Sequence, residues 1–162
     1  MLIISLCVAL ALVVAGCGSS DDDSSSTRAT TAAKESGGNT DMNAKPTITV
    51  PDEPAPKKLE VVDIVEGDGA EAKAGDTVTV QYVGVGYDSK EEFDSSWSRN
   101  EPATFGLDEV IAGWGQGIPG MKVGGRRELT IPANLAYGPA GSPPSIGPNE
   151  TLIFVVDLLA VE

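Results

Sequence analysis

The chain contains no histidine, and its 162 residues include only two cysteines, Cys7 and Cys17. Without imidazole there is no histidine triad, no histidine-ligated metal and no general base titrating near neutrality. Both thiols fall in the first seventeen residues. Whatever folds downstream therefore has no disulfide, no cysteine nucleophile and no thiolate zinc site, and no metal or cofactor is expected. Cations are scarce as well: 11 Lys and Arg stand against 24 Asp and Glu, a formal net charge of −13. Such a chain cannot neutralise a row of phosphates, which excludes nucleic acid as a partner. It also has no electrostatic attraction to anionic head groups.

The apolar residues are unevenly distributed. Leu2 to Val14 is a continuous apolar run broken only by Ser5. It is shorter than the roughly 20 residues that span a bilayer, and it has the length of a signal-peptide core. It ends in Val14-Ala15-Gly16-Cys17, which resembles the bacterial lipobox, where the cysteine sulfur takes a diacylglyceryl group and becomes the new N-terminus. Met1 leads straight into Leu2 with no Lys or Arg, so the start lies upstream or the signal is atypical. An uncleaved short anchor is the competing reading. Two acyl chains hold a protein stably, at about 0.8 kcal/mol per buried CH₂. The expected location is the extracytoplasmic face of a bacterial cell membrane, with the protein lipid-anchored through Cys17.

Residues 18–56 read as a disordered spacer rich in Ser, Asp and Pro, with Asp21-Asp22-Asp23, Ser24-Ser25-Ser26 and the prolines Pro46, Pro51, Pro54 and Pro56. Few large apolar side chains are present to offset the entropy of ordering. As a coil it spans roughly 30–35 Å. The expected division is therefore 1–17 signal, 18–56 linker and 57–162 folded domain. About a hundred residues suffice for one core. Nothing in 18–56 has the periodicity of a dimerising helix, so a monomer is expected.

Within 57–162, Thr77 to Val83 alternates with Val78, Val80 and Tyr82 on one face, as a half-buried antiparallel strand does. Arg126 to Ile131 alternates in the same way between Gly124-Gly125 and Pro132. Thr151 to Val161 is a long strand with Leu152, Phe154, Val156 and Leu158 on one face, and Leu59 to Val65 is a fourth. Phe93 and Phe105 mark shorter extended pieces. One helix is predicted near Ala112–Ile118, weakened by Gly113, Gly115 and Gly117 at up to about 1 kcal/mol each. Asn134 to Asn149 is too rich in Gly and Pro for regular structure and reads as a long loop, which is more often functional than decorative. The sum is an α+β fold: an antiparallel sheet of about five strands with one short helix across a face.

An ordered set of fragments resembles the FKBP-type peptidyl-prolyl cis–trans isomerases. These are Gly67-Asp68-Gly69, Val80 to Gly84, Phe93-Asp94-Ser95-Ser96, Arg99-Asn100 and Val110-Ile111-Ala112-Gly113-Trp114. Gly120 to Gly124, Ile131-Pro132, Ala136-Tyr137-Gly138 and Thr151 to Phe154 follow. The resemblance covers essentially all of 57–162. It implies a bent five-stranded antiparallel sheet wrapped around one short helix. It also implies an apolar pocket walled by Tyr82, Phe93, Val110, Ile111, Tyr137 and Phe154 and floored by Trp114, with Phe105 left to the core.

Such a pocket can catalyse without a nucleophile. Rotating a prolyl amide breaks no bond between heavy atoms; the barrier of about 18–20 kcal/mol is lost resonance. An apolar cleft disfavours the charge-separated planar amide, and hydrogen bonds hold the twisted one. The resemblance places the proline ring on Trp114 between Phe93 and Phe154, and the Ile111 N–H and Tyr137 phenol on substrate carbonyls. Asp94, with Tyr82 and Arg99 placed to pair with it, is either a structural carboxylate or a direct electrostatic partner of the amide. Where the family often has a pocket-edge Phe, this chain has Ala103. Ser142 and Ser145 occupy loop positions often filled by His and Ile, leaving Ile146 as the nearest apolar candidate. The expected partners are proline-containing polypeptides, with macrolides of the FK506 and rapamycin type as candidate ligands. The expected activity is isomerisation that assists folding of secreted or surface proteins. The alternative is a membrane-tethered binding or chaperone module of the same fold with little isomerase activity.

Overall fold

Alternation of β-branched residues in Thr77–Gly86 builds an interior strand of a single antiparallel sheet. The computed structural model describes residues 39–162; Cys17, the apolar leader and the first part of the spacer lie outside the described residues. In chain order the elements are β1 (Glu60–Val65), β2 (Thr77–Gly86), β3 (Glu92–Ser95), α1 (Ser96–Arg99), β4 (Ala103–Gly106), α2 (Ala112–Gly117), β5 (Arg126–Ile131) and β6 (Leu152–Val161). The sheet order is β1-β5-β6-β2-β3, with β4 also on β2.

The expected five strands become six in five positions. β2 is ten residues long, so its first half pairs β4 (Val78 opposite Phe105) and its second half pairs β3 (Gly84 opposite Asp94). α1 interrupts that edge. It was not foreseen, because four residues carry no helical periodicity. Its ends are legible afterwards: the Ser95 hydroxyl accepts from the Ser98 N–H at 3.2 Å, and Asn100 closes it in the left-handed conformation at φ 52°. The 134–149 loop holds two short 3₁₀ turns, Ala133–Leu135 and Gly138–Ala140.

Side chains on one face of β2, β5 and β6 converge on α2. Val78, Val80, Leu129, Ile131, Leu152, Val156 and Leu158 have no exposed surface and join Trp114 and Ile118 in one cluster. The glycines that weaken α2 as a helix let it lie close to the sheet. A Cβ at Gly113 would overlap the Ile131 side chain. Packing on β5 stabilises this helix where propensity opposes it.

The opposite face of the sheet is buried too. Val83, Val85, Ile153 and Val155 are covered yet stand outside the main cluster. Residues 39–56, the end of the stretch expected to be a linker, lie on this side of the sheet, where Arg126 bonds them. They lie as an extended strap in one compact unit with the domain. Met42, Ala44, Pro46, Ile48 and Val50 turn inward between exposed neighbours. Arg126 donates from Nη1 to the Asn39 carbonyl and side chain at 2.7 and 2.6 Å, and from Nη2 to the Ala44 carbonyl at 3.1 Å. Further along, Lys45 meets Glu92 and Ser98, Asp52 meets Lys90, and the Glu53 carbonyl accepts from Tyr87. The strap was missed because prolines and polar residues dominate its composition, while its period-two apolar stripe is interrupted by no strand partner.

Candidate functional site

A cleft of about 380 Å³ opens between α2 and the sheet, lined by Tyr82, Phe93, Asp94, Phe105, Glu109, Val110, Ile111, Trp114, Tyr137 and Phe154. Trp114, buried in the first turn of α2, lines it, and the glycines let the helix lie close to the sheet. Its ring meets Tyr82, Phe105 and Phe154 edge-on, at centroid distances of 5.4, 5.5 and 5.3 Å. Phe93 packs edge-on against Phe154 at 5.4 Å. Edge-to-face contacts of this kind are favourable beyond the area they bury, and they make the floor rigid. Gly84 provides the space: a Cβ there would lie 2.6 Å from Phe93 and 2.8 Å from Phe154. The Trp114 Nε1–H is buried without a partner among the described residues.

One wall is charged and fully paired. The Tyr82 hydroxyl donates to Asp94 Oδ2 at 2.5 Å, Arg99 Nη1 binds Asp94 Oδ1, and Arg99 Nη2 donates to the Tyr82 oxygen at 3.0 Å. The Ser95 N–H adds a third bond to Asp94 at 2.8 Å. Burial pushes the Asp94 carboxyl up, but the bonds from Tyr82 and Arg99, the Arg99 charge and the Ser95 N–H outweigh it and leave it below the ordinary range. Burial first, and then the bond to Asp94, pushes the Tyr82 phenol up. Asp94 therefore stays ionised and Tyr82 protonated at neutral pH.

The other wall is open. Tyr137 is 43% exposed at the cleft mouth, and the Ile111 N–H at the start of α2 has no partner among the described residues. Both donors are free to meet carbonyls entering over Trp114.

Eight of the residues expected in the site, Tyr82, Phe93, Asp94, Val110, Ile111, Trp114, Tyr137 and Phe154, line this one cleft. Arg99 stands behind them, bonded to Asp94 and Tyr82. Ile146 does not line it: at 5% exposure it joins the core cluster, and its backbone closes the loop onto Ser142. An aliphatic side chain in a polar loop is worth more inside than at a mouth. Phe105, expected in the core alone, lines the cleft as well as packing on Trp114. Its place opposite Val78, an inward residue of β2, is the signal that could have found it. Glu109 was also missed, since an exposed carboxylate has no pattern to mark it. A smaller cleft of about 200 Å³ near Asp63, Gly67 and Lys122 is polar, and the Arg127–Asp63 pair occupies its side.

Residues 69–159 match the family of the FKBP-type peptidyl-prolyl cis-trans isomerases. The chain belongs to that family. It is 56% identical over 120 residues to an FK506-binding protein of Streptomyces anulatus, an alignment covering 72% of this chain and 97% of that one. Among solved structures it is similar to Escherichia coli FkpA, with a TM-score of 0.60 and 48% identity over 64% of this chain and 48% of that chain. A peptidyl-prolyl cis-trans isomerase from Pseudomonas syringae pv. tomato matches with a TM-score of 0.59 and 35% identity, covering 64% of this chain and 75% of that one. The fold is the FKBP fold, and the enzyme activity of the family is peptidyl-prolyl cis–trans isomerisation.

Proposed function

We propose that this FKBP-type isomerase turns prolyl bonds by withdrawing them from water into the aromatic cleft. The observation that carries the reading is the floor: Trp114 is boxed edge-on by three aromatic rings, with two unpartnered hydrogen-bond donors above it. A proline ring on the indole, flanked by Phe93 and Phe154, takes its amide out of water. The planar amide is more charge-separated than the twisted one, so desolvation raises the ground state more than the transition state. The Ile111 N–H and the Tyr137 hydroxyl hold the carbonyls on either side while the amide rotates. No proton need move, which is consistent with a site lacking histidine. Asp94, its oxygens committed to Tyr82, Arg99 and Ser95, holds the Phe93 wall in place.

The same reading places the protein outside the cytoplasm. Lipid on Cys17 would hold it at the extracytoplasmic face of the cell membrane as a monomer, and its substrates would be proline-containing segments of secreted or surface proteins. The apolar run before Cys17 and the Val14-Ala15-Gly16-Cys17 motif support this location.

Catalysis is tested by protease-coupled isomerisation of a short X-Pro peptide with the purified chain. Turnover above background is expected, falling at least about tenfold in Trp114→Ala. A folded wild-type chain at background rate would sink the isomerase reading. Location is tested by fractionation: Cys17→Ser should move the protein from the membrane to the soluble fraction, and retention in the membrane would rule out the lipid anchor.

A further inference from the structure

Glu150 is a buried carboxylate that does not line the cleft. At 8% exposure it has no cation partner among the described residues. Its Oε2 accepts the Gly147 N–H at 2.7 Å, and its Oε1 accepts the Ser89 N–H at 3.1 Å. The Ser89 hydroxyl bonds it as well. A carboxylate out of water needs such donors, and bonds to an ionised acceptor are stronger than neutral ones. The space is reserved for it: a side chain at Gly86 would overlap both the Glu150 carboxylate and the Ser89 hydroxyl.

These bonds add to the pairing of Gly86 with Leu152 and the Tyr87 N–H bond to the Thr151 carbonyl, and they tie the turn between β2 and β3 to the loop of residues 138–149. The loop is tied internally by backbone hydrogen bonds. Ser142 and Ile146 exchange backbone hydrogen bonds of 3.0 Å each, and the Asn149 N–H donates to the Gly138 carbonyl at 2.9 Å. The second of these ties the residue before Glu150 to the residue after Tyr137. Tyr137 itself is held by no side-chain bond at its exposed position, so the loop that follows it sets where its hydroxyl points.

We propose that Glu150 is a positioning residue for Tyr137. By clamping Gly147 to the Ser89 turn, it fixes the loop through Asn149 and Gly138 and so holds the phenol over the cleft at the height of a substrate carbonyl. The proposal rests on the isomerase reading of the cleft. Glu150 exchanges no proton with substrate and touches none; it acts through the backbone. Without the carboxylate, the Gly147 and Ser89 N–H groups turn to water and the Gly138 end of the loop loses its anchor. The indole floor stays, so substrate still binds while the hydrogen bond from Tyr137 is lost.

A double-mutant cycle on the full chain separates positioning from simple stapling. Glu150→Ala should lower kcat/KM about three- to tenfold, the worth of one hydrogen bond, and Tyr137→Phe should do the same. In the Tyr137→Phe background, Glu150→Ala should cost less than about twofold, because the contact it protects is already gone. If the two losses multiply, or if Glu150→Ala leaves kcat/KM unchanged, the proposal is overturned. Glu150→Gln, which keeps one acceptor oxygen, should fall between the wild type and Glu150→Ala, and it serves where the alanine variant does not fold.

The second readout does not depend on turnover. Amide exchange at Gly147 and Ser89 should speed up in the Glu150 variants, and the Tyr137 ring resonances should shift and broaden. Faster exchange with unmoved Tyr137 signals would reduce Glu150 to a structural staple. A wild-type chain without activity would remove the isomerase reading, while these resonances would still decide whether Glu150 positions the ring.

Discussion

Arg126 and Arg127 are neighbours on β5, and they serve opposite faces of the same sheet. Arg126 has no exposed surface. It pairs with Asp157 at 2.5 and 2.8 Å on the outer face and spends its remaining donors on the strap carbonyls of Asn39 and Ala44 and the Asn39 side chain. Arg127, at 8% exposure, pairs with the half-exposed Asp63 and donates to the Gly117 carbonyl at 2.8 Å, at the C-terminal end of α2. A cation there suits the negative end of a helix, and α2 carries Trp114. One guanidinium thus fastens the strap, and the other fastens the helix under the cleft. The comparison divides the sheet into an outer face that holds the chain together and an inner face that carries the cleft.

That division can be broken from either side. The largest effect is expected for Asp157→Ala, which leaves a buried guanidinium without its anion; losses of this kind run to about 3–5 kcal/mol. Urea titration should show that loss, while kcat/KM of the folded fraction stays within about twofold, because nothing in the cleft has changed. A selective fall in activity at constant stability would mean that the two faces are coupled.

Removing the strap, so that the chain begins at Lys57, attacks the same face more gently. It uncovers Val83, Val85, Ile153 and Val155 but also releases the entropy spent on ordering residues 39–56, so the loss in a urea titration should be smaller than for Asp157→Ala. Equal stability with and without residues 39–56 would show that the strap is merely laid on the domain. Arg127→Met tests the inner face. Losing charged donors to the Gly117 carbonyl should cost about 1–3 kcal/mol, and here activity should fall with stability because α2 positions Trp114.

The smallest effect concerns pH. Asp94 lies below the ordinary aspartate value of 3.8, and Tyr82 lies above the ordinary phenol value of 10.0. A depressed carboxyl contributes its stabilisation above its unfolded pKa and loses it only as pH falls through the lower folded value. The Tyr82–Asp94–Arg99 wall should therefore be intact throughout the neutral range. With no histidine in the chain, kcat/KM should vary by less than about twofold between about pH 5 and pH 9. A bell-shaped profile centred near neutrality would show that another titrating group takes part.

The inner face was largely legible before any coordinates. Alternation marked β2, β5 and β6, and the ordered aromatic motifs named eight residues that the fold then brings to one cleft. These signals survive in sequence because a strand that faces a core on one side must repeat every second residue, and large aromatic rings are few enough to stand out. Phe105 escaped because it belongs to both core and cleft, and Ile146 was assigned to the cleft although the core claims it. α1 and the strap escaped because four residues show no period and proline-rich segments mimic linkers.

By itself the sequence determined an antiparallel sheet with one short helix, and it named the aromatic side chains that the fold gathers around one cleft. Those outcomes depend on residue type and local period, which are properties of the chain alone. Only the tertiary structure decided that residues 39–56 belong to the folded unit, that adjacent arginines fasten opposite faces, and that a carboxylate at Glu150 reaches across to Ser89. Each of these depends on which distant segments come within hydrogen-bonding distance of about 3 Å. No local pattern records it, because Asn39 and Arg126, or Ser89 and Glu150, become neighbours only once the sheet has closed.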